Sequence, residues 1–232
     1  MIHNTLENDI YAEIYAAIID HRLPAGTRLR EDSIGEIFGV SRTVVRRALS
    51  RLAHEKIVET RPHRSAIVAE PSVREAHDVF RARVLIEREI VMLAARNAGA
   101  GQIDRLRNLV RDENAALRAG DRRAWIRLSG AFHLALAKIA NNEVLSGFLG
   151  ELVSRTSLII GLYADQGRST CSCDDHGALT DAVARGDGET AARLMKVHLE
   201  NCEAGLRREP ETGPVDLADA LGARSDLAIR AR

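Results

Sequence analysis

The sequence predicts a mainly α protein: an N-terminal winged helix-turn-helix over residues 1–70, an all-α antiparallel helical bundle over 71–208, and a C-terminal tail over 209–232. Three observations predict it. The first 70 residues combine short apolar-periodic stretches with a pair of β-rich tetrads. Past Pro71 the apolar period is helical throughout. The breaks between those later stretches are mostly a few residues long, which makes sequential helices antiparallel neighbours.

The elements follow in order. Ile10, Ile14, Ala17 and Ile18 recur at helical spacing, so a first helix covers about residues 6–21. Leu23-Pro24-Ala25-Gly26 is a turn. Glu31 to Phe38 form a short second helix with Ile34, Ile37 and Phe38 inward, closed by Gly39 as a left-handed C-terminal residue. Ser41 is an N-cap for a third helix, in which Val45, Ala48, Leu49 and Leu52 make the buried stripe. Arg42, Arg46, Arg47, Ser50 and Arg51 stay outside it. Ile57 to Thr60 and Ser65 to Val68 flank the basic tip Arg61-Pro62-His63-Arg64 and read as a hairpin. Pro71 is the boundary. Helices then fall near 72–98, 102–119, 121–140, 143–165, 174–185 and 188–208. Pro210, Gly213 and Pro214 mark the tail, with a short helix near 215–222.

Composition sets the class. With 45% hydrophobic residues the chain can bury a core, and 28% charged is ordinary for a soluble protein. No apolar run approaches the ~18–20 residues of a membrane span. The N-terminus has no signal-peptide apolar core, so the expectation is a cytoplasmic protein with no membrane partner. Three cysteines, Cys171, Cys173 and Cys202, fit reduced thiols better than a disulfide framework.

The formal net charge is zero, but it is unevenly spread. Between Ser41 and Arg64 seven basic residues face only Glu55 and Glu59, a local balance of +5. An α-helix fits the major groove, where Arg bonds guanine bidentately. Ser41, Arg42, Thr43, Val44 and Arg46 sit at the front of the third helix, and Arg61, His63 and Arg64 on the hairpin tip reach toward backbone or minor groove. Aromatic residues are 3% of the chain and absent from that helix, which argues against stacking on single strands. The partner expected is double-stranded operator DNA.

Leu23-Pro24-Ala25-Gly26-Thr27-Arg28-Leu29, the run from Phe38 to Leu49 (Phe-Gly-Val-Ser-Arg-Thr-Val-Val-Arg-Arg-Ala-Leu), and Leu52 to Val58 together resemble the GntR family of regulators. The resemblance implies DNA contacts from Arg42, Thr43 and Arg46, with Ser41 and Val44 beside them. Ser65 stands where members usually have Gly at the hairpin tip, and Arg47 where many have Glu.

Within the bundle, Ser129 and His133 are four apart and share a helix face. Asp187 is the centre of the turn Gly186-Asp187-Gly188, with His176 eleven residues before it and His198 eleven after. Positions equidistant from the turn of an antiparallel hairpin lie at one height, so these two imidazoles can converge. Three imidazoles in a bundle core suit Zn²⁺ or Ni²⁺. The alternative on spacing alone is three separately hydrogen-bonded core histidines. Cys171 and Cys173 are weak candidates as an additional ligand or a redox pair.

Arg83-x3-Glu87, Phe132-His133 followed by Asn142, and then His176 and His198 resemble the FCD effector domain of the FadR subfamily. In metal-binding members three histidines and an Asp or Asn one turn before the first form the site. His133, His176 and His198 match the three, and Ser129 occupies the carboxylate position. The resemblance also implies a small organic acid as effector. Arg83 interrupts the stripe Ala76, Phe80, Arg83, Glu87, Ile90, Ala94, and Arg155 the stripe Leu145, Phe148, Leu152, Arg155, Ile159, Leu162. Both are candidate anchors for its carboxylate, with Asn201 one turn after His198 as a further partner. The alternatives are an internal pair with Glu87 for Arg83 and snorkelling for Arg155.

The function expected is therefore a ligand-responsive homodimeric transcription regulator, read as a repressor, whose operator affinity follows an organic acid bound through a divalent metal ion. A metal-responsive regulator is the nearest alternative. A metal-dependent hydrolase is remote, because no carboxylate is clearly placed as a general base and the basic helix would go unexplained. The chain is not expected to be an enzyme.

Overall fold

The computed structural model describes residues 2–20, 22–60, 65–164, 173–206 and 215–222. They fall into two units, Met1–Glu70 with Glu209–Arg232, and Pro71–Arg208.

In the first unit the apolar period of the N-terminal segment forms α1 (Ile2–Ile19), followed by β1 (Arg28–Leu29), α2 (Glu31–Phe38), α3 (Arg42–His54), β2 (Val58–Glu59) and β3 (Ala66–Val68). The sheet is antiparallel in the order β1-β3-β2, with Val58 opposite Val68 and Leu29 opposite Ala66. The expected hairpin is β2 and β3. The third strand, β1, is two residues long and too short to show an alternating pattern; it takes the other edge of β3. Gly39 ends α2 at φ 64°, and the chain turns so tightly that a Cβ on Gly35 would lie 2.9 Å from the Val40 carbonyl oxygen. Ile10, Ile14, Ile18, Ile34, Leu52 and Ile57 are fully buried between these elements. Each such side chain contributes about 1.5–3 kcal/mol by leaving water.

The described part of the C-terminal segment belongs here too. Helix α10 (Leu217–Gly222) packs against α1 and α2, burying Ala220 and Leu221. The Arg22 guanidinium donates to the Ala220 carbonyl and pairs with Glu13 at 3.0 Å.

The described residues of the second unit form six helices: α4 (Val73–Asn97), α5 (Ala100–Arg118), α6 (Arg122–Ala140), α7 (Glu143–Tyr163), α8 (Cys173–Ala184) and α9 (Gly188–Ala204). Four of the starts are fixed by side-chain caps. Ser72, Asp121, Asn142 and Asp187 accept from the backbone N–H three residues on, at 2.9–3.1 Å, at the N-termini of α4, α6, α7 and α9. Such a cap is worth ~1 kcal/mol. The long α4 packs against α9, α6 and α7, while α5 packs against α6 and α8. This arrangement brings the inner faces of α4, α5, α6, α8 and α9 around one interior.

Helix α7 departs from its expected stripe. Phe148 is 57% exposed and Leu145, Leu152 and Arg155 are partly buried, while Ile159 and Leu162 of the expected stripe are buried together with Leu149, Val153, Thr156 and Ile160 beside them. Among the described residues α7 is the one helix that is long and apolar enough by composition to cross a membrane, which the run-length expectation missed. Its buried face packs on α4 and α6, so its apolarity fills the bundle.

Candidate metal centre and nucleic-acid interface

The bundle interior holds an unusual density of polar groups. His133 from α6, His176 from α8 and His198 from α9 are 2%, 0% and 1% exposed. One ring nitrogen from each lies within 4.8 Å of the others. Nε2 of His176 and Nε2 of His198 are 3.1 Å apart. The equidistance of the last two from the Gly186–Gly188 turn thus does bring them together. Phe132, next to His133, stacks on the His176 ring at 4.2 Å between centroids and fixes its plane.

Each imidazole is oriented by a carboxylate at its other nitrogen. His133 Nδ1 lies 2.5 Å from Glu87 Oε2, His176 Nδ1 lies 2.6 Å from Glu113 Oε2, and His198 Nδ1 lies 3.3 Å from Asp175 Oδ2. A carboxylate behind a histidine selects the Nδ1–H tautomer and leaves Nε2 as a lone pair. Burial supports the neutral form. It holds the His133 imidazole down at about 3 and His176 well below the ordinary histidine range. Burial works to raise the Glu87 carboxyl, but Arg83 and His133 outweigh it and hold it at about 2. The Asp175 carboxyl is held low by its bond to His198. Burial pushes Glu113 up to about 7.

At 3.1 Å, a proton on one Nε2 or a cation bound by both relieves the repulsion of the two lone pairs. A tetrahedral Zn²⁺ with Zn–N of 2.0–2.1 Å separates its nitrogens by about 3.3 Å. The residues present therefore fit a divalent ion of the zinc or nickel class. Ser129, 8% exposed, lies on the same face of α6 one turn before His133.

Sequence reasoning missed Glu113 and Asp175. Glu113 sits on the buried stripe of α5 with Ile103 and Leu106, and a carboxylate on an apolar stripe was the available signal. Asp175 carried none beyond adjacency to His176.

The candidate anchors separate. Arg83 is 4% exposed and its Nε donates to Glu87 Oε1 at 2.6 Å, while its buried Nη2 has no hydrogen-bond partner among the described residues. Arg155 pairs instead with Glu75, beside a shallow surface groove that also involves Ser72 and Leu152. It lies at the edge of the buried face of α7, so it does not join the imidazoles. Asn201 is exposed, because the inner stripe of α9 runs through Met195, His198, Leu199 and Cys202. The position beside His198 that faces inward is Cys202, whose Sγ is 3.8 Å from His198 Nε2. Cys202 is disulfide-bonded, contrary to the expectation of reduced thiols. Cys171 and the Cys173 side chain lie outside what the structure describes.

In the first unit Ser41 holds the N-cap position of α3, with no cap bond to its side chain. Ser41, Arg42, Thr43 and Arg46 are exposed along the front of the helix. Val44 is 8% exposed and packs into the core, since it falls on the stripe next to Val45, and it does not present itself to a groove. Two acidic residues at the start of α2 hold the arginines extended: Arg46 bonds Glu31 twice, at 2.7 and 3.0 Å, and Arg42 pairs with Asp32. Arg51 turns the other way, with its guanidinium 3.9 Å above the Tyr11 ring and bonded to Asn8. Arg61, His63 and Arg64 lie outside the described residues.

With this geometry in hand, comparison with known proteins is specific. Residues 6–68 match the gntR family of bacterial regulatory proteins, and residues 78–201 match the FCD domain. The Uxu operon regulator of Haemophilus influenzae is 29% identical over 223 residues, covering 88% of this chain and 80% of that protein. A probable D-xylose utilization operon transcriptional repressor of Paenarthrobacter nicotinovorans is 25% identical over 199 residues, covering 86% and 88%. Among solved structures, McbR/YncC of E. coli superposes with a TM-score of 0.71 at 23% identity, over 88% of this chain and 96% of that one. A GntR regulator from Rhodococcus gives 0.72 at 23%, over 94% and 98%. At that identity the likeness speaks to the fold.

Proposed function

The chain belongs to the gntR family of bacterial regulatory proteins and carries an FCD domain, which makes it a transcriptional regulator and not an enzyme; from that premise we propose that its operator affinity is set by a small organic acid held in the bundle through a divalent metal ion. One observation carries the reading. Three imidazoles, each braced by its own carboxylate, converge beside a buried arginine whose Nη2 has no hydrogen-bond partner among the described residues.

His133, His176 and His198 would hold the ion, with the Ser129 hydroxyl beside them. The ion would supply a site of positive charge at which a carboxylate can bind. Glu87, Glu113 and Asp175 keep the imidazole rings turned, and Glu87 and Asp175 supply negative charge behind them. Arg83 contributes the second grip. Its Nη2 is buried without an acceptor, a costly state that a ligand carboxylate would relieve. Arg155 and Asn201 take no part in this reading.

On the DNA side, the front of α3 enters the major groove. Arg42 and Arg46 exchange Asp32 and Glu31 for base edges or phosphates, and Thr43 and Ser41 bond the backbone. These exposed ion pairs are weak, so the exchange is cheap. Two copies on two half-sites give the spacing such a helix needs, which is the reason to expect a homodimer. If the acid releases the operator, the protein acts as a repressor.

The test is a gel shift on a fragment of its own promoter region. The protein is stripped with chelator or reloaded with Zn²⁺ or Ni²⁺, then titrated with carboxylic acids from acetate to succinate and citrate. At least one acid should shift operator affinity for the metal-loaded wild type and lose that effect in His133→Ala. A shift produced by metal alone, with every acid inert, would replace this reading with a metal-responsive one.

A further inference from the structure

We propose that Cys202 is a fourth, redox-gated ligand of the three-histidine centre: its thiolate binds the ion, and its half-cystine form withholds the sulfur. The inference rests on the metal reading above and adds a residue and a control to it.

Cys202 lies four residues after His198 on α9, so the two side chains leave the same face one turn apart. It is 1% exposed. Its Sγ is 3.8 Å from His198 Nε2, and that nitrogen is itself 3.1 Å from His176 Nε2. With Zn–S near 2.3 Å and Zn–N of 2.0–2.1 Å, sulfur and nitrogen on one tetrahedral ion lie about 3.5 Å apart. Measured from His198, the sulfur is thus within a few tenths of an ångström of a ligand's distance. The position that would carry a carboxylate in the resemblance is Ser129, a neutral hydroxyl, so the three imidazoles leave room for an anionic donor.

In the structure Cys202 is disulfide-bonded. The thiolate is the ligating form of cysteine, and a cystine sulfur is a poor donor by comparison. A dithiol reductant would supply two electrons and two protons. The Cys202 S–S bond breaks, two protein thiols form, and the dithiol closes to its own disulfide. When Cys202 then binds a divalent ion, its proton leaves to solvent and one S–metal bond forms. Reduced protein therefore has three nitrogens and one anionic sulfur for the ion, and oxidised protein has the three nitrogens alone.

Cobalt(II) reports both donor types on the full-length protein. Its ligand-field bands show that the ion is bound, and a thiolate-to-cobalt charge-transfer absorption in the near ultraviolet shows that sulfur binds it. Reduced wild type should give both signals. Oxidised wild type and reduced Cys202→Ser should give ligand-field bands without charge transfer. Both should bind the ion more weakly by about tenfold or more, since even outer-shell partners of a metal site are worth ~10–100-fold. The comparison of oxidised with reduced wild type needs no variant to fold. Charge transfer that persists in Cys202→Ser, or ligand-field bands without it in reduced wild type, overturns the proposal and leaves the three-histidine site standing. Absence of ligand-field bands in every sample overturns the metal reading itself, and this inference with it.

Discussion

Single side chains in the bundle act in pairs, and the pairs decide what the site tolerates. Glu113 holds the Nδ1 of His176 with one oxygen, and the Ser129 hydroxyl lies against its carboxyl. Glu113→Gln keeps the shape and an acceptor but removes the charge behind the imidazole. We expect Zn²⁺ or Ni²⁺ affinity to fall by roughly 10–100-fold, read by competition with a chromophoric chelator. An unchanged affinity would make Glu113 a packing residue. The same groups set the response of metal-free protein to acid. Burial lowers His133 to about 3, and lowers His176, so below about 6.5 the unfolded chain takes protons that the folded one refuses. Glu113 opposes this: raised to about 7, it favours the folded state as pH falls from there to its ordinary 4.5. Two histidines outweigh one carboxyl. Once pH drops below 4.5, Glu113 has given all it can, and Glu87, held at about 2, adds its loss. Urea midpoints of metal-free protein should therefore decline from pH 6.5 to 5 and more steeply below 4.5; a flat profile would mean that the histidines are not buried neutral. The three histidines were legible in the sequence because turn symmetry and helical spacing are local rules. Their carboxylates were not, because which helix lies behind a given ring is decided by packing among α4, α5 and α6.

At the scale of elements, α3 shows how one helix divides its arginines. Exposure alone would treat Arg42, Arg46 and Arg51 alike. The structure gives Arg42 and Arg46 to the front, bracketed by Asp32 and Glu31, and Arg51 to the flank against Tyr11 and Asn8. Arg42→Ala and Arg46→Ala should each weaken operator binding roughly ten- to a hundredfold and change the salt slope by up to about one. Arg51→Ala should leave operator affinity within about twofold and lower thermal stability slightly. Fluorescence anisotropy on a labelled operator, with melting curves alongside, separates these roles; equal losses in all three would undo the assignment of a front and a flank. The helix itself was legible from its apolar stripe. Val44 was misplaced as a DNA neighbour because a resemblance lists positions near the groove without saying which way each side chain points. The expected stripe on α7 holds at Ile159 and Leu162 and fails at Phe148, because contact with α4 and α6, not the period alone, decides which apolar residues of that helix are covered.

For the whole molecule, the chain begins in the DNA-binding unit, builds the bundle, and returns to the first unit, where α10 lies on α1 and α2. Composition identified residues 209–232 as a tail, because Pro210, Gly213 and Pro214 interrupt any period and six helical residues carry little pattern. What pattern could not show is that Ala220 and Leu221 find an apolar surface, and that Arg22 meets the carbonyl of Ala220 at the end of α10. A short helix with no stability of its own is held by that burial. Removing residues 209–232 uncovers the surface under Leu221 and leaves Arg22, among the described residues, with its carboxylate partners Glu13 and Asp20. The loss expected is about 2–3 kcal/mol from the first unit, mostly from the leucine. Calorimetry should show the DNA-binding unit melting earlier while metal affinity of the bundle stays at the wild-type value. Leu221→Ala should give about half of that shift. Identical melting of the truncated and full-length chains would mean that α10 rests on the surface without stabilising it. A fall in metal affinity would instead show that the segment supports the bundle.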